Sequence, residues 1–400
     1  MQTSLQIFFA KTKIAVWTAT LLLCSITIAS GQKKQQPRPA EKKFIQFAGG
    51  YVQSIWQLGN NVEQFKVGKN LHPNRFESRM GIRRGYLNFA AGYKDLSAMA
   101  IINVQDFRLV PYAIYLKYAP HQLNGFYLKT GLDKVYFGLD LPSSSAKRPF
   151  FDRSIYVSEL FPGDHDLGLT LGYASPDKQA TQGGIALGLM SGNGGQRMTK
   201  PIPDFLFRGE VVHHLRNLSL SFGVSGYYGF VAQPGTDKYL NRIYYGTHAT
   251  LEWRHGFGLL SLSGEAIAGK QVGTDQSTMA YATIDPTRMQ TVQRPFVGVM
   301  GAIVERFDVL PIEWIARYNY YNRNTNYTAS SAEQTLGGNS LNRISHTLLT
   351  GFNCYSFNNR VRWSVHYEAM YNQDGFTPNG AVRFGSSPLH LGTVGLQYTF

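Results

Sequence analysis

The strongest constraint on this chain is an alternation of period two that recurs along most of its length. Leu218, Leu220, Phe222 and Val224 alternate with Ser219, Ser221, Gly223 and Ser225. Successive side chains of a strand point to opposite faces, so such a run has one apolar and one polar face. The C-terminal residues repeat the pattern, with Val394, Leu396, Tyr398 and Phe400 against Thr393, Gly395, Gln397 and Thr399. About ten residues is the length a tilted strand needs to cross a bilayer.

From Phe44 to Phe400 the pattern predicts about sixteen strands. The first places Ile45, Phe47 and Tyr51 on one face. The second sets Gly85, Leu87 and Phe89 against Arg84, Tyr86 and Asn88. The twelfth, 296–304, is apolar on both faces. No segment carries sustained helical periodicity. The connections sort by length. Lys94-Asp95, 215–217, 254–256 and 356–359 are brief, whereas 58–75, 138–165, 230–242, 270–293, 322–341 and 372–388 are long and polar. Short turns on one rim and long loops on the other distinguish a membrane barrel from a soluble sandwich. Closure also removes the edges that an open sheet of this size would expose. The expected fold is all-β: a transmembrane antiparallel β-barrel with short periplasmic turns and long extracellular loops.

Residues 1–31 read as a signal peptide: Lys11 and Lys13, an apolar run from Ile14 to Ala29, and small residues at a cleavage site after Gly31. Residues 32–43 form a polar lead-in with Pro37 and Pro39. Residues 44–400 are the barrel. Cys24 lies within the signal, so Cys354 alone remains and no internal disulfide forms. The hydrophobic fraction of 43% and mean hydropathy of −0.21 suit a barrel, because half of each strand faces a wet interior. The formal charge is +14, and removal of the two signal lysines leaves +12. This excess attracts anionic solutes or surfaces. A secreted chain with no binding motif argues against nucleic acid as the partner.

The terminal strand resembles the closing strand that outer-membrane barrels present to their insertion machinery, with Tyr398 and Phe400 as the signal. A second resemblance covers Leu123 to Gly172. Lys129-Thr130-Gly131 runs on to Lys134-Val135-Tyr136-Phe137-Gly138, then Phe151-Asp152-Arg153-Ser154, then the run from Leu160 to Gly168. These pieces resemble the phosphate-selective porin family, the O and P porins. Ile82 to Gly85, Glu313 to Tyr318 and Leu349 to Tyr355 are weaker echoes. The resemblance implies a sixteen-stranded general or anion-selective porin of the Bacteroidetes type, a homotrimer in a Gram-negative outer membrane. No dense lysine cluster matches the family's phosphate filter, so the general porin role carries over better than phosphate selectivity.

If large apolar side chains face lipid, their alternates face the lumen. This assigns Arg84, Lys117, Lys129, Arg208, Arg254, Arg317 and Arg362 inward, with Glu210, Glu252, Glu265, Glu313 and Glu368. Arg317 with Glu313, and Arg362 with Glu368, share faces and are expected to brace the wall. Lys129, Lys134, Lys147, Arg148 and Arg153 gather where the loop 138–165 begins. Folded inward, that loop narrows the lumen. The candidate anion-lining set is therefore Lys129, Lys134, Arg153, Arg84, Lys117, Arg317 and Arg362. Expected partners are outer-membrane lipid, the barrel-assembly machinery and small anionic or polar solutes, and no cofactor is expected. Two other classes stay open: a non-conducting scaffold or adhesin, and an outer-membrane hydrolase. For the latter, Ser364, His366 and Glu368 share one strand face. Spaced by two, they sit about 7 Å apart, beyond hydrogen-bond reach. His213 and His214 point opposite ways and form no metal site.

Overall fold

Each long strand pairs antiparallel with the next, and the last returns to the first. The computed structural model of the chain describes residues 44–60, 65–68, 76–105, 108–176, 180–194, 200–233, 236–274, 291–327, 343–376, 382–384 and 388–400. The expected signal peptide and lead-in lie outside these residues. The wall consists of β1 (Phe44–Gly59), β2 (Glu77–Tyr93), β3 (Leu96–Gln105), β4 (Arg108–Tyr118), β5 (Phe126–Lys134), β6 (His165–Ala174), β7 (Thr181–Met190) and β8 (Asp204–His214). It continues through β9 (Leu218–Ala232), β10 (Tyr239–His255), β11 (Gly258–Thr274), β12 (Thr291–Phe307), β13 (Ile312–Asn322), β14 (Ile344–Ser356), β15 (Val361–Phe376) and β17 (Leu389–Thr399). The three-residue β16 (Val382–Phe384) pairs with the far end of β15 and precedes β17 on the same side. The wall thus has the sixteen strand positions that the alternation predicts. Among the described residues one short helix, α1 (Ile155–Leu160), lies in the β5–β6 loop.

The burial pattern is inverted relative to a soluble sheet. On β9, Leu220, Phe222 and Val224 are exposed while Ser225 is buried. On β17, Val394, Leu396 and Tyr398 are exposed while Thr393 and Gln397 are buried. An apolar exterior over a polar interior is stable only where hydrocarbon replaces water.

β-Bulges change which residues face inward, including one on β4 where Tyr112 is the extra residue between Pro111 and Ala113. On β1 the register shifts between Phe47 and Gly50. Ile45 and Phe47 are therefore exposed outside, whereas Tyr51 is buried inside. The expectation that these three share a face is corrected by this bulge, because an extra residue reverses the parity of everything after it. On β2, Gln53 pairs with Arg84 and Ser54 with Ile82. Arg83 is the extra residue, and it turns inward beside Arg84.

The β1 bulge also seats the C-terminus. Gly50 and Phe400 exchange two backbone hydrogen bonds of 3.0 Å. Gly49 takes a φ of 89°, and a Cβ there would lie 2.4 Å from the Phe400 carbonyl oxygen. The Phe400 ring stacks on Phe47 at 6.0 Å. We predict that Gly49→Val, which combines this clash with an unfavourable φ, lowers the yield of folded, heat-modifiable barrel several-fold. Deletion of Phe400 should do the same in outer-membrane fractions. Unchanged yields of both variants would show that closure does not depend on this contact.

Candidate pore constriction

The segment 135–164 between β5 and β6 lies inside the barrel. Its contacts reach nearly the whole circumference. Tyr51 on β1 bonds to Ser145, Arg84 on β2 to Phe151, and Tyr112 on β4 to Asp164. Arg208 on β8 bonds to Gly138, Ser225 on β9 accepts from Gly138, and Glu265 on β11 accepts from Leu139 and Tyr156. Arg317, Asn353, Arg362 and Gln397, from β13, β14, β15 and β17, reach Asp152, Pro149, Arg148 and Ala146. Only a segment within the lumen can touch all these walls.

One side of the loop is apolar. Val135, Phe137, Leu141, Phe150, Tyr156, Val157, Leu160 and Phe161 pack on inward residues from β7 to β14, among them Met190, Tyr244, Ile267, Phe296, Met300 and Ile315. This explains why β12 is apolar on both faces: Val299 and Ile303 face lipid, and Phe296 and Met300 face the loop. Two glycines leave sockets for loop aromatics. A Cβ at Gly298 would sit 2.7 Å from Tyr156, and one at Gly395 would sit 2.1 Å from Phe151.

The other side is polar, and here the basic residues divide into two groups. Most hold the loop's backbone. Arg84 donates to the Phe151 carbonyl at 2.8 Å, Arg317 to Asp152 at 2.8 Å and Arg362 to Arg148 at 2.6 Å. Lys134 bonds to the carbonyls of Pro142 and Ser143, and Arg153 to those of Asp140, Leu141 and Ser143. Lys129 pairs with Asp133 at 2.6 Å and lies over the Tyr115 ring. Lys117 is half-buried over Tyr127. Arg254 and Glu252 are exposed beside the β10–β11 turn, where Arg254 pairs with Asp308. The expected bracing pairs do not form. Glu313 accepts from Asn353 and Tyr355 instead of Arg317, and Arg362 bonds to Gln397 and the loop instead of Glu368. Same-strand proximity lost to the loop because a buried carbonyl left without a donor costs about 1–3 kcal/mol.

The second group, Lys66 and Arg83, joins Arg84 and Arg153 around a cavity of about 300 Å³ between the loop and the β1–β4 side of the wall. Its residues include Lys66, Arg83, Arg84, Asp152, Arg153 and Asp164, with Tyr86, Tyr112, Val157 and Phe161. Asp152 accepts from Arg83 at 2.7 Å and from Arg84 at 2.9 Å. Burial alone would raise the Asp152 pKa, but Arg83 and Arg84 override it and hold the group well below the usual carboxylate range. Asp164 takes Arg153 at 2.5 Å and the Tyr112 hydroxyl at 2.7 Å. Four cations face two carboxylates, so the lining carries two net positive charges. Lys66 and Arg83 were missed as site residues. Lys66 lies in a loop with no periodicity, and strict alternation turns Arg83 toward lipid.

The remaining sequence candidates are structural. Ser364 donates to the Asn353 side-chain oxygen at 2.6 Å, and His366 Nε2 lies 3.1 Å from the same atom. The serine therefore does not address the histidine. His213 meets Thr181 and His214 meets Ser219, in opposite directions. Among the described residues no group of His, Cys, Asp or Glu is placed to hold a metal. A buried cluster not foreseen from sequence joins Lys200, Arg242 and Tyr227 to Asp204 near the long-loop end of β8–β10.

No protein-family model matches the chain, and no curated protein matches it. Solved structures do. OmpT, an outer membrane protein of Vibrio cholerae in trimer form, superposes with a TM-score of 0.55 at 11% identity, covering 90% of this chain and 99% of that one. The anion-selective porin from Comamonas acidovorans gives 0.55 at 10% identity, covering 90% and 100%. The outer membrane channel DcaP of Acinetobacter baumannii gives 0.53 at 14% identity, covering 93% and 100%. At such identities the likeness is one of fold: a porin-type barrel.

The Asp152 clasp generates a prediction. A carboxylate with a depressed folded-state pKa contributes stability above its unfolded pKa, and loses it only as pH falls through the folded value. The loop should therefore stay docked from neutral pH down to below about pH 4, the ordinary Asp value. Peptic cleavage near Phe150 should be slow at pH 4, and tryptic cleavage at Lys147 or Arg153 slow at pH 7, in purified barrel. Asp152→Asn should raise the tryptic rate about tenfold or more at pH 7, the loss expected for hydrogen bonds to a charged group. Gly395→Val should do so by displacing Phe151. Equal cleavage of wild type and both variants would show that neither contact holds the loop.

Proposed function

We propose that the protein is a porin of the Gram-negative outer membrane, admitting small hydrophilic solutes by passive diffusion with a mild preference for anions. The observation that carries this reading is the cavity beside the inward loop, with Lys66, Arg83, Arg84 and Arg153 against Asp152 and Asp164. Fixed charge at a narrow, partly dehydrated passage is poorly screened and sets ion preference. The resemblance to the phosphate-selective porins supports the same role, with phosphate as one anion among those admitted. The porin-type fold and the trimer form of the similar Vibrio cholerae protein support a homotrimer. In this reading Lys129, Lys134, Arg153, Arg84, Arg317 and Arg362 shape the constriction by holding the loop, and Lys66 and Arg83 set its field. Lys117 adds charge to the inner wall.

A non-conducting scaffold is the second reading. The apolar packing that fills the β7–β14 side of the lumen favours it. Planar-bilayer recordings separate the two, since a scaffold gives no steps of conductance.

Selectivity tests the field directly. Ser158 is exposed and lines the cavity, as does Lys66, and neither side chain bonds to the Asp152 clasp. Lys66→Glu with Ser158→Asp changes the lining by three charge units, from two positive to one negative. Wild type should show an anion-selective reversal potential in a salt gradient, and the double variant a shift toward cations. A cation-selective wild type, or a potential that the substitutions leave unmoved, would place the ion path elsewhere.

A further inference from the structure

We infer that the cavity beside the loop selects, within the anions, small monocarboxylates that carry a flat apolar body. The inference rests on the porin reading and names the substrate class of the same site.

A passage for inorganic anions needs charge and water, but this cavity also has an apolar surface. Tyr86 and Tyr112 of the wall line it, with the edges of Val157 and Phe161, whose bulk packs into the apolar side of the loop. These aromatics are fixed. Tyr86 stacks on Tyr112 at 4.4 Å between centroids, and Tyr112 meets His165 at 4.0 Å. Tyr112 is further held by its hydroxyl bond to Asp164. A rigid apolar wall gains most from a ligand that covers it without losing conformational freedom, which favours a planar body. A volume of about 300 Å³ lies at the small end of ligand pockets.

The polar groups fix the charge and valence of the ligand. Arg83 and Arg84 are committed to Asp152, and Arg153 to Asp164. Lys66 differs. Its backbone N–H donates to Gln57, but among the described residues its ammonium group has no hydrogen bond or ion pair. Lys66 lies near Asp152 and Glu368 without bonding to either, so its ammonium keeps donors for one further carboxylate. A second negative charge on the ligand would face Asp152 and Asp164.

Benzoate is the probe and acetate its control, since both bring one carboxylate and only one has a flat body. In planar bilayers holding wild-type trimers in potassium chloride, millimolar benzoate should reduce the chloride current at least twofold. Equal acetate should leave the current nearly unchanged. Lys66→Gln should weaken the benzoate effect several-fold while the barrel remains heat-modifiable. Ser158→Trp, which fills the cavity from an exposed position, should abolish it. Equal action of benzoate and acetate on a conducting wild type would overturn this inference alone. An undiminished benzoate effect in both variants would also overturn it. A barrel that never conducts would overturn the porin reading, and this inference with it.

Discussion

Backbone polarity is the constraint on which the rest of this structure depends. In hydrocarbon no water is available to a free N–H or C=O, so a sheet must close on itself. The closure here is specific: Gly50 and Phe400 exchange hydrogen bonds, and Tyr51 to Gly59 pair with Thr399 back to Leu391. The same constraint governs the loop within the barrel. Residues 138–152 have no ladder to join, and much of this stretch is buried. Side chains take over the role of a neighbouring strand. Arg208, Arg153, Lys134, Gln397, Arg362, Asn353, Arg148, Arg84 and Arg317 donate in turn to carbonyls from Gly138 to Asp152. Guanidinium groups suit this task because each presents several donors in a fixed fork.

The strands were legible because burial in lipid imposes period two on every one of them. Leu218 to Ser225 announces itself without any knowledge of its neighbours. The loop sorting was legible for a related reason, since only a closed wall gives turns on opposite rims different jobs. Position 83 was not legible. A bulge leaves no mark on the alternation until the partner strand is known, and the alternation of Arg84, Tyr86 and Asn88 puts Arg83 on the lipid face. The parity error between Phe47 and Tyr51 has the same origin. The partners of Arg317 and Arg362 were hidden for a different reason. Each shares a strand face with a glutamate, but its contact lies more than 150 residues away in a segment without periodicity. The apolar inner face of β12 was a readable sign that something packs inside.

These contacts change what a count of lumen charge means. Seven cations against five carboxylates describes the inner wall of an empty barrel. In the folded protein Arg317 and Arg362 serve buried carbonyls, Arg208 pairs with Glu210, and Lys129 pairs with Asp133. Their fields are largely cancelled or walled off by the loop they hold. On the porin reading, what an ion would meet is set by the few groups on the open side, chiefly Lys66. Positive charge therefore acts at two levels here. The majority of it holds the loop in the lumen, and on the porin reading a small remainder sets the field at the opening. The +14 of the full sequence is a poor guide to selectivity for this reason: charge committed to structure exerts little field at the opening.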